Sequence, residues 1–180
     1  MSSNLAAVVQ LLVLDVDGVL TDGRLHFGPS GEALKVFHVR DGHGIKQLAE
    51  ARIGVAVISG RRSRMVTARC RELGIAHVLQ GRQDKLVAFE EVRARLKIPA
   101  SACACIGDDV PDVPLMQAVG LAFAVADAHP DARRVAHVVT ALPGGGGAVR
   151  EVCDYLLAAR NHVKSVSERA PAAARRRTLR

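Results

Sequence analysis

Short runs of apolar residues recur along the first 140 positions of the chain. The run at 11–16 is interrupted only by Asp15 and is followed by Asp17. Such a run is typical of a parallel strand that is covered on both faces and delivers polar side chains to its carboxyl edge. In all, the pattern predicts six strands, at 11–16, 55–58, 77–79, 102–106, 121–125 and 136–139.

Stretches with helical periodicity and helix-start signals lie between these runs. They predict helices at 44–51, 63–73, 84–96, 111–119 and 148–159, with a further short helix after His129. Regular alternation of strands and helices indicates an α/β fold. Short connections and right-handed crossovers then favour a doubly wound parallel sheet, whose ligand crevice lies beyond the carboxyl ends of the strands.

One segment departs from the alternation. Two short extended arms, at 24–27 and 34–38, flank the turn residues Gly28-Pro29-Ser30-Gly31. Turn residues between two extended arms predict a β-hairpin, and we expect it to project from the sheet beside the site.

Length and charge set the domain organisation. A chain of 180 residues with 49% hydrophobic residues has room for one domain with a substantial core. The net charge is +7, but the residues from Lys164 onward carry six basic and one acidic side chain, so +5 lies there and only +2 on the rest. We therefore predict one domain at 1–163 and a basic, disordered tail at 164–180. A solvated tail is favoured over a nucleic-acid-binding arm.

Cysteine spacing and apolar segment length indicate the compartment. The four cysteines, at 70, 103, 105 and 153, form no CxxC motif, which favours small buried thiols over a metal site. No apolar run approaches the ~20 residues that a membrane-spanning helix needs. We expect a cytoplasmic protein without a membrane partner.

The residues that most directly indicate chemistry are Asp15 and Asp17, which end the first strand just before Gly18. One carboxylate can attack phosphorus to give an acyl phosphate, while the other protonates the leaving alkoxide and then deprotonates water. The alternative is that both acids only cap a turn, since Asp-Gly is a common turn dipeptide.

Two further segments provide groups that bind phosphate. Ser59-Gly60-Arg61 follows the strand at 55–58 and opens a helix, so its hydroxyl and N–H groups can hold phosphoryl oxygens, although an ordinary N-cap has the same appearance. Lys85 lies near the start of the helix at 84–96, where an ammonium can neutralise phosphate and Asp15. On its own, Lys85 reads as a solvated helix residue.

A second carboxylate cluster follows the strand at 102–106. It contains Asp108, Asp109 and Asp112, and such a cluster favours a hard cation with oxygen ligands. We predict Mg²⁺ bridging Asp15, Asp108 and a phosphate oxygen.

The ordered motifs DVDG at 15–18, SGR at 59–61, Lys85 and GDDVPD at 107–112 resemble the haloacid dehalogenase (HAD) superfamily over roughly residues 11–160. The resemblance implies a Rossmann-like fold, and an acid at position 17 favours a phosphatase, a phosphoric monoester hydrolase, over a pump or a dehalogenase. It implies these residues: Asp15 as nucleophile and metal ligand, Asp17 as acid/base and main-chain metal ligand, Lys85 as a catalytic residue, Ser59, Gly60 and Lys85 on phosphate, Asp108 on magnesium, and Asp109 and Asp112 in support.

The gaps between the motifs are too short for an inserted cap domain. With VLTDG at 19–23, VRDGHGIKQL at 39–48 and ADAHPDA at 126–132, the chain closely resembles a capless subfamily, the bacterial 3-deoxy-D-manno-octulosonate 8-phosphate phosphatases of lipopolysaccharide precursor synthesis. The resemblance implies a homotetramer in which neighbouring copies complete the pocket. An isolated hairpin also favours self-association.

The same resemblance implies a set of residues that contact a sugar acid carrying carboxylate and phosphate groups. These residues are His38, Val39, Arg40, Asp41, Gly42, Lys46, Arg61 and Arg69. Two positions depart from the subfamily pattern: Lys46 stands where arginine is expected, and Gly146 replaces the arginine of GGRGAVRE. The second change is expected to weaken substrate retention if that arginine reaches a neighbouring site.

Two alternatives stay open at the level of sequence. A phosphatase for a nonulosonate 9-phosphate would need the same catalytic residues and a pocket one carbon longer. A catalytically silent binding module on the same fold would bind a ligand without turnover.

Overall fold

The chain alternates strands and helices along most of its length. The structure, a computed structural model, describes the backbone of residues 2–169 and the side chains of residues 4–161. The strands are β1 (Leu11–Leu14), β2 (His26–Gly28), β3 (Gly31–Leu34), β4 (Gly54–Ser59), β5 (His77–Gln80), β6 (Cys103–Gly107), β7 (Leu121–Ala124) and β8 (Val138–Val139). The helices are α1 (Ser2–Ala7), α2 (Val39–Glu50), α3 (Arg64–Glu72), α4 (Lys85–Leu96), α5 (Val113–Ala118), α6 (Pro130–Val135) and α7 (Ala148–Arg169).

Six strands form one parallel sheet in the order β5-β4-β1-β6-β7-β8. All four residues of β1 are buried, because this strand lies between β4 and β6 and is covered on both faces. The chain builds outward from β1 through β4 to β5 and then returns to the other side of β1 with β6. That reversal is a topological switch point, where open α/β sheets bind ligands. The predicted doubly wound α/β fold is confirmed.

The helices pack in two groups. One group brings α1 and α2 against α7, and the other brings α5 against α4 and α6. The pattern did not predict α1, which is only six residues long. No helix in the described part of the chain is both long enough and apolar enough to cross a membrane.

The projecting β-hairpin is present, with one arm shifted from the prediction. β2 and β3 pair antiparallel as a separate two-stranded sheet around Pro29 and Ser30. The first arm lies near its predicted place, whereas the second arm is Gly31–Leu34 instead of 34–38. The reason is the tight turn, which starts the return pairing at Gly31 opposite Gly28. Residues 35–38 form an extended connection that runs into α2.

Two helix boundaries differ from the predictions. α2 begins at Val39 rather than 44, because the His38 side chain accepts a hydrogen bond from Arg40 N and caps the helix there. α7 continues to Arg169 instead of ending at 159. The first residues of the predicted tail are therefore helical. Residues 170–180 lie outside the described residues, so the disordered tail and the domain boundary at 163 stay predictions.

Candidate active site

The carboxyl edges of three adjacent strands hold the predicted chemical groups. Asp15 follows β1, Ser59 ends β4 and Asp108 follows β6, so the central strand presents Asp15 between the other two. These side chains line a cavity of about 260 Å³. Its lining consists of Asp15, Asp17, Ser59, Gly60, Arg61, Arg82, Gln83, Lys85, Asp108, Asp109, Pro111 and Asp112.

Lys85 is a buried residue of the site. The Asp84 side chain accepts a hydrogen bond from Val87 N and caps α4, which makes Lys85 the first residue of the helix. Its Nζ lies 2.9 Å from Asp15 Oδ1 and 2.5 Å from Asp112 Oδ1. Burial lowers the pKa of Lys85, but the two carboxylates outweigh burial and raise it, so the side chain stays an ammonium.

Asp112 organises the loop that carries Asp108. Its Oδ2 accepts hydrogen bonds from Asp108 N at 3.2 Å and from Asp109 N at 3.3 Å. A Cβ at Gly107 would lie 2.6 Å from the Asp112 Cβ, so only glycine permits this close approach. Asp109 lines the cavity and caps the following short helix by accepting from Val110 N at 2.7 Å.

A cluster of carboxylates meets in the cavity. Asp15, Asp108 and Asp112 each offer an oxygen within 4.8 Å of the others. Burial first, and then the neighbouring Asp112, raise the pKa of Asp15 to about 6. Burial, followed by the charges of Asp15 and Asp112, raises the pKa of Asp108 to about 8. Desolvated carboxylates that repel one another provide the hard oxygen ligands and the negative charge that a divalent cation requires, so these residues fit Mg²⁺.

In the turn after Asp17, there is no space for a side chain at position 18. Gly18 adopts φ +98°, and a Cβ there would lie 2.0 Å from Asp108 Oδ2. Both facts require glycine, because a side chain would be strained and would displace the Asp108 carboxylate. The glycine therefore lets the backbone turn away directly after the two acids.

Hydrogen bonds from a neighbouring loop hold the loop that is predicted to bind phosphate. Ser59 is buried, and its hydroxyl accepts a hydrogen bond from Arg61 N at 3.2 Å. Arg82 N donates to Ser59 O at 3.0 Å, and Gln83 Nε2 donates to Gly60 O at 3.2 Å. The loop after β5 therefore fixes the loop after β4, and both line the cavity.

Asp17 faces a different set of partners from Asp15. Its Oδ1 forms an ion pair with Lys35 Nζ, and its Oδ2 lies 3.8 Å from Arg61 Nε. Glu32 Oε1 in turn lies 3.2 Å from Lys35 Nζ and 3.8 Å from an Arg61 nitrogen. Neither Lys35 nor Glu32 was predicted from the sequence. Only the return of the hairpin onto the sheet edge brings them to Asp17, and no local spacing signals that contact.

Of the predicted sugar-acid residues, Arg61 lines the cavity. His38 caps α2, and Val39, Arg40 and Lys46 are exposed. Asp41 is buried and accepts a hydrogen bond from Arg150 N at 2.8 Å, so its carboxylate joins α2 to the start of α7.

Gly42 and Arg69 lie against each other behind that helix start. A Cβ at Gly42 would be 2.3 Å from an Arg69 guanidinium nitrogen, and Arg69 also pairs with Glu72 at 2.9 Å. In a single chain, the described residues thus bring Arg61 to the cavity and leave His38, Val39, Arg40, Asp41, Gly42, Lys46 and Arg69 outside its lining. Their contact with substrate stays a prediction.

The glycine-rich segment at 144–147 packs on the turn that follows the predicted catalytic acids. Gly145 N donates to Val19 O at 3.0 Å, and a Cβ at Gly144 would lie 1.7 Å from Gly18 O. Gly146 is different, since a Cβ there would meet only Pro143 at 3.0–3.2 Å. The Cβ of a larger residue at position 146 would therefore need only a small adjustment of Pro143.

Comparison with known proteins shows which proteins this chain resembles. A model of the family described as haloacid dehalogenase-like hydrolase matches residues 71–150. A 3-deoxy-D-manno-octulosonate 8-phosphate phosphatase from Yersinia pestis is 49% identical over 90% of this chain and 87% of that protein. The protein of the same name from Escherichia coli K12 is 51% identical over 84% of this chain and 80% of that protein.

Solved structures of similar proteins have the same fold. The phosphatase structure from Yersinia pestis matches with a TM-score of 0.87 at 49% identity, covering 91% of this chain and 88% of that chain. The phosphatase from Moraxella catarrhalis, in complex with a magnesium ion, a phosphate ion and a KDO molecule, matches with a TM-score of 0.87 at 39% identity. That match covers 92% of this chain and 95% of the other.

Proposed function

The chain belongs to the haloacid dehalogenase-like hydrolases and, within them, to the 3-deoxy-D-manno-octulosonate 8-phosphate phosphatases, and we propose that Asp15 is the nucleophile of that reaction. The enzyme hydrolyses 3-deoxy-D-manno-octulosonate 8-phosphate (KDO 8-phosphate) to KDO and phosphate, a step of lipopolysaccharide precursor synthesis. The observation that carries the proposal is the meeting of Asp15, Lys85 and Asp108 in one cavity at the carboxyl edge of the sheet.

The two catalytic aspartates divide the reaction between them. The Asp15 carboxylate attacks phosphorus and forms an aspartyl-phosphate, while the bond to the sugar C8 oxygen breaks. Asp17 gives a proton to that leaving oxygen and then takes one from the water that hydrolyses the aspartyl-phosphate. The two side chains suit this division, because Asp15 contacts Lys85 and Asp17 contacts the different pair Lys35 and Arg61.

Charge neutralisation in the cavity is shared between the protein and the metal. Lys85 faces Asp15 at 2.9 Å and can accompany the phosphoryl group as its charge moves onto the enzyme. Ser59 and the N–H groups around Gly60 are positioned to hold the phosphoryl oxygens. The carboxylates of Asp15 and Asp108 and the main chain of Asp17 would hold Mg²⁺, which when bound screens the repulsion between nucleophile and substrate. Asp112 and Asp109 support the loop that presents Asp108.

Beyond the phosphoryl group, the substrate is a sugar acid with a carboxylate. Arg61 lines the cavity and is the nearest candidate to receive that group in a bidentate manner. The remaining predicted contacts are His38, Val39, Arg40, Asp41, Gly42, Lys46 and Arg69, and a neighbouring copy would have to bring the exposed ones among them to a substrate.

We further propose a homotetramer in the bacterial cytoplasm. The hairpin exposes Leu25, Phe27, Leu34 and Val36 by 45–65% of their surfaces, which is unusual for side chains of this size close together. A neighbouring copy that covers them would also complete the open side of the cavity. The four cysteines are free, buried thiols, as a reducing compartment allows.

A phosphate-release assay tests the proposed function. The protein is incubated with KDO 8-phosphate, and in parallel with a nonulosonate 9-phosphate, with Mg²⁺ and with a chelator. We expect turnover of the octulosonate substrate that depends on magnesium and exceeds turnover of the longer sugar acid. Equal turnover of both, or of unrelated phosphosugars, would contradict the substrate assignment. Absence of any phosphatase activity would contradict the nucleophile assignment as well.

A further inference from the structure

Lys35 is a lysine buried inside an otherwise exposed hairpin. Its side chain is 2% exposed, although the neighbouring Leu34 and Val36 are 51% and 57% exposed. The usual arrangement, with apolar residues inside and the ammonium in water, is therefore reversed at this strand end. The lysine points towards the catalytic cavity, where its Nζ forms an ion pair with Asp17 Oδ1.

Stability alone is a weak explanation for this burial. Removing an ammonium from water costs several kcal/mol, and a buried ion pair is often no more stable than a well-packed apolar pair. A buried lysine in a short hairpin therefore indicates a requirement other than folding. Among the described side chains, Lys35 forms ion pairs with Asp17 and Glu32. Of these two, only the carboxylate of Asp17 takes part in the proposed reaction.

Four charged residues form what we call the hairpin ion cluster: Asp17, Glu32, Lys35 and Arg61. Asp17 Oδ1 pairs with Lys35, and Asp17 Oδ2 lies 3.8 Å from Arg61 Nε. Each carboxylate oxygen thus faces its own cation, and of the two contacts only that with Lys35 is a hydrogen bond. Glu32 Oε1 accepts no hydrogen bond from the described residues and is held between the same two cations, at 3.2 Å and 3.8 Å.

We propose that Lys35 is a positioning residue that holds the Asp17 carboxylate in the orientation required for proton transfer, with Glu32 restraining Lys35. This inference rests on the proposed function, in which Asp17 acts as acid and then as base. Proton transfer needs a donor and acceptor at hydrogen-bond distance with correct alignment, and a misplacement of about 1 Å can cost about 10²-fold in rate. The hairpin therefore serves the chemistry of its own chain.

The first test replaces the ammonium with an apolar chain of similar length. Lys35→Met is expected to lower kcat for KDO 8-phosphate by about 10- to 100-fold while KM changes less than about threefold, because the substrate-binding groups are untouched. Lys35→Arg keeps the charge and should recover most of kcat. Arg134→Met removes an equal charge from a side chain that is 72% exposed in its ion pair on α6, and it should leave kcat unchanged.

The second test separates positioning of Asp17 from a structural role. p-Nitrophenolate leaves without a proton, so formation of the aspartyl-phosphate from p-nitrophenyl phosphate needs no acid, whereas hydrolysis of the aspartyl-phosphate still needs the base. Lys35→Met should therefore release p-nitrophenolate in a rapid burst of about one equivalent per active site, followed by slow turnover. A variant that is only partly folded would instead lose burst amplitude and turnover together.

Folding is checked by circular dichroism and thermal melting. If Lys35→Met does not fold, the double variant Glu32→Gln/Lys35→Met removes both the buried ammonium and the half-buried carboxylate and is measured in its place. A folded variant with unchanged kcat, an equal loss on both substrates without a burst, or failure of both variants to fold would each overturn the inference. Failure of the proposed function can be told apart from failure of this inference. In the first case the wild-type protein would not hydrolyse KDO 8-phosphate, while the wild type and Lys35→Met could still be compared on p-nitrophenyl phosphate.

Discussion

Asp15, the proposed nucleophile, lies at the centre of the carboxyl edge of the sheet, directly after strand β1. The residue is 7% exposed, and its Oδ1 is 2.9 Å from the Lys85 ammonium. Asp15→Asn keeps this shape but removes the nucleophile, so we predict that kcat falls by at least about 10³-fold. Steady-state phosphate release measures the loss, and intact-protein mass spectrometry should detect no phosphoenzyme in the variant.

The control for Asp15→Asn is the melting temperature, which should not fall below that of the wild type. The amide removes a charge that burial and Asp112 disfavour, so the metal-free variant can even be more stable. Turnover within tenfold of the wild type in a folded variant would be incompatible with Asp15 as nucleophile.

The raised pKa of Asp108 predicts how the stability of the metal-free protein changes with pH. Burial raises its pKa in the folded, metal-free protein from 3.8 to about 8. Between these values the folded state binds more protons than the unfolded state, so this carboxyl lowers stability progressively as the pH rises from about 4 to about 8. Asp108→Asn removes the effect. We predict that the metal-free variant melts at a higher temperature than the metal-free wild type at pH 8, and that the difference shrinks as the pH falls towards 4.

A shift of one pKa unit corresponds to about 1.4 kcal/mol, which is roughly 3–5 °C for a chain of this size. Differential scanning fluorimetry with a chelator measures the difference across the pH range. Adding Mg²⁺ at pH 8 should raise the melting temperature of the wild type and leave Asp108→Asn nearly unchanged. A wild type that melts higher than the variant at pH 8 without metal would contradict the repulsion inferred for this cluster.

At the residue scale, the groups that were predicted from sequence share one property. Asp15, Ser59 and Asp108 each stand directly after an apolar strand, and parallel strands bring their carboxyl ends to one edge. Lys35 was beyond such reasoning, and so was the contact of Asp41 with α7, because both depend on how the hairpin and α7 pack in the fold. Neither contact follows from strand order or from local spacing.

At the element scale, the turn between β1 and the hairpin depends on Gly18. An alanine there would place its Cβ 2.0 Å from Asp108 Oδ2, in addition to the strain of φ +98°. Gly74 is a matched control, because it adopts φ +73° with nothing within 4 Å of a Cβ. We predict that Gly74→Ala costs about 1–2 kcal/mol and keeps its activity, whereas Gly18→Ala also loses at least about 10²-fold in kcat/KM.

Urea unfolding gives the free energy of each glycine variant, and phosphate release gives its activity. The two measurements together separate backbone strain, which both variants carry, from displacement of Asp108, which only Gly18→Ala carries. Equal activities of the two variants would mean that the Asp108 carboxylate can move without consequence.

The pattern of apolar and polar residues predicted the strands of the sheet but missed several element boundaries. The strands of the sheet were found because burial on both faces makes them continuous apolar runs. The start of α2 was missed, because a capping histidine at position 38 followed by a glycine-containing first turn has no strong helix signal. The second hairpin arm was predicted too late in the chain. Its register is fixed by the turn at Pro29-Ser30 and by tertiary contacts rather than by alternation of apolar and polar residues.

At the scale of the whole molecule, the hairpin carries an apolar surface that a single chain leaves uncovered. Phe27 is 65% exposed on β2, and Leu34 on the pairing strand is 51% exposed. A two-stranded ribbon is marginally stable alone, so burial against another copy would stabilise both the ribbon and the assembly. The proposed tetramer therefore depends on this surface.

Phe27→Asp tests that dependence, because a charge cannot be buried unpaired in an apolar contact. We predict that light scattering coupled to size exclusion finds four chains for the wild type and one or two for the variant. The single-chain fold should be retained, since an exposed side chain contributes little to it. Val8→Asp, at a residue 55% exposed at the end of α1, is the control for adding the same charge elsewhere.

The activity of Phe27→Asp then decides whether neighbouring chains complete the pocket. The residues proposed for phosphoryl transfer, Asp15, Asp17, Lys85 and Asp108, all lie within one chain, so the dissociated variant should still hydrolyse p-nitrophenyl phosphate. KDO 8-phosphate must also have its carboxylate and hydroxyl groups held, and we expect KM for it to rise by at least about tenfold. An unchanged KM in a dissociated variant would mean that each chain recognises the sugar acid with its own residues, with Arg61 as the leading candidate.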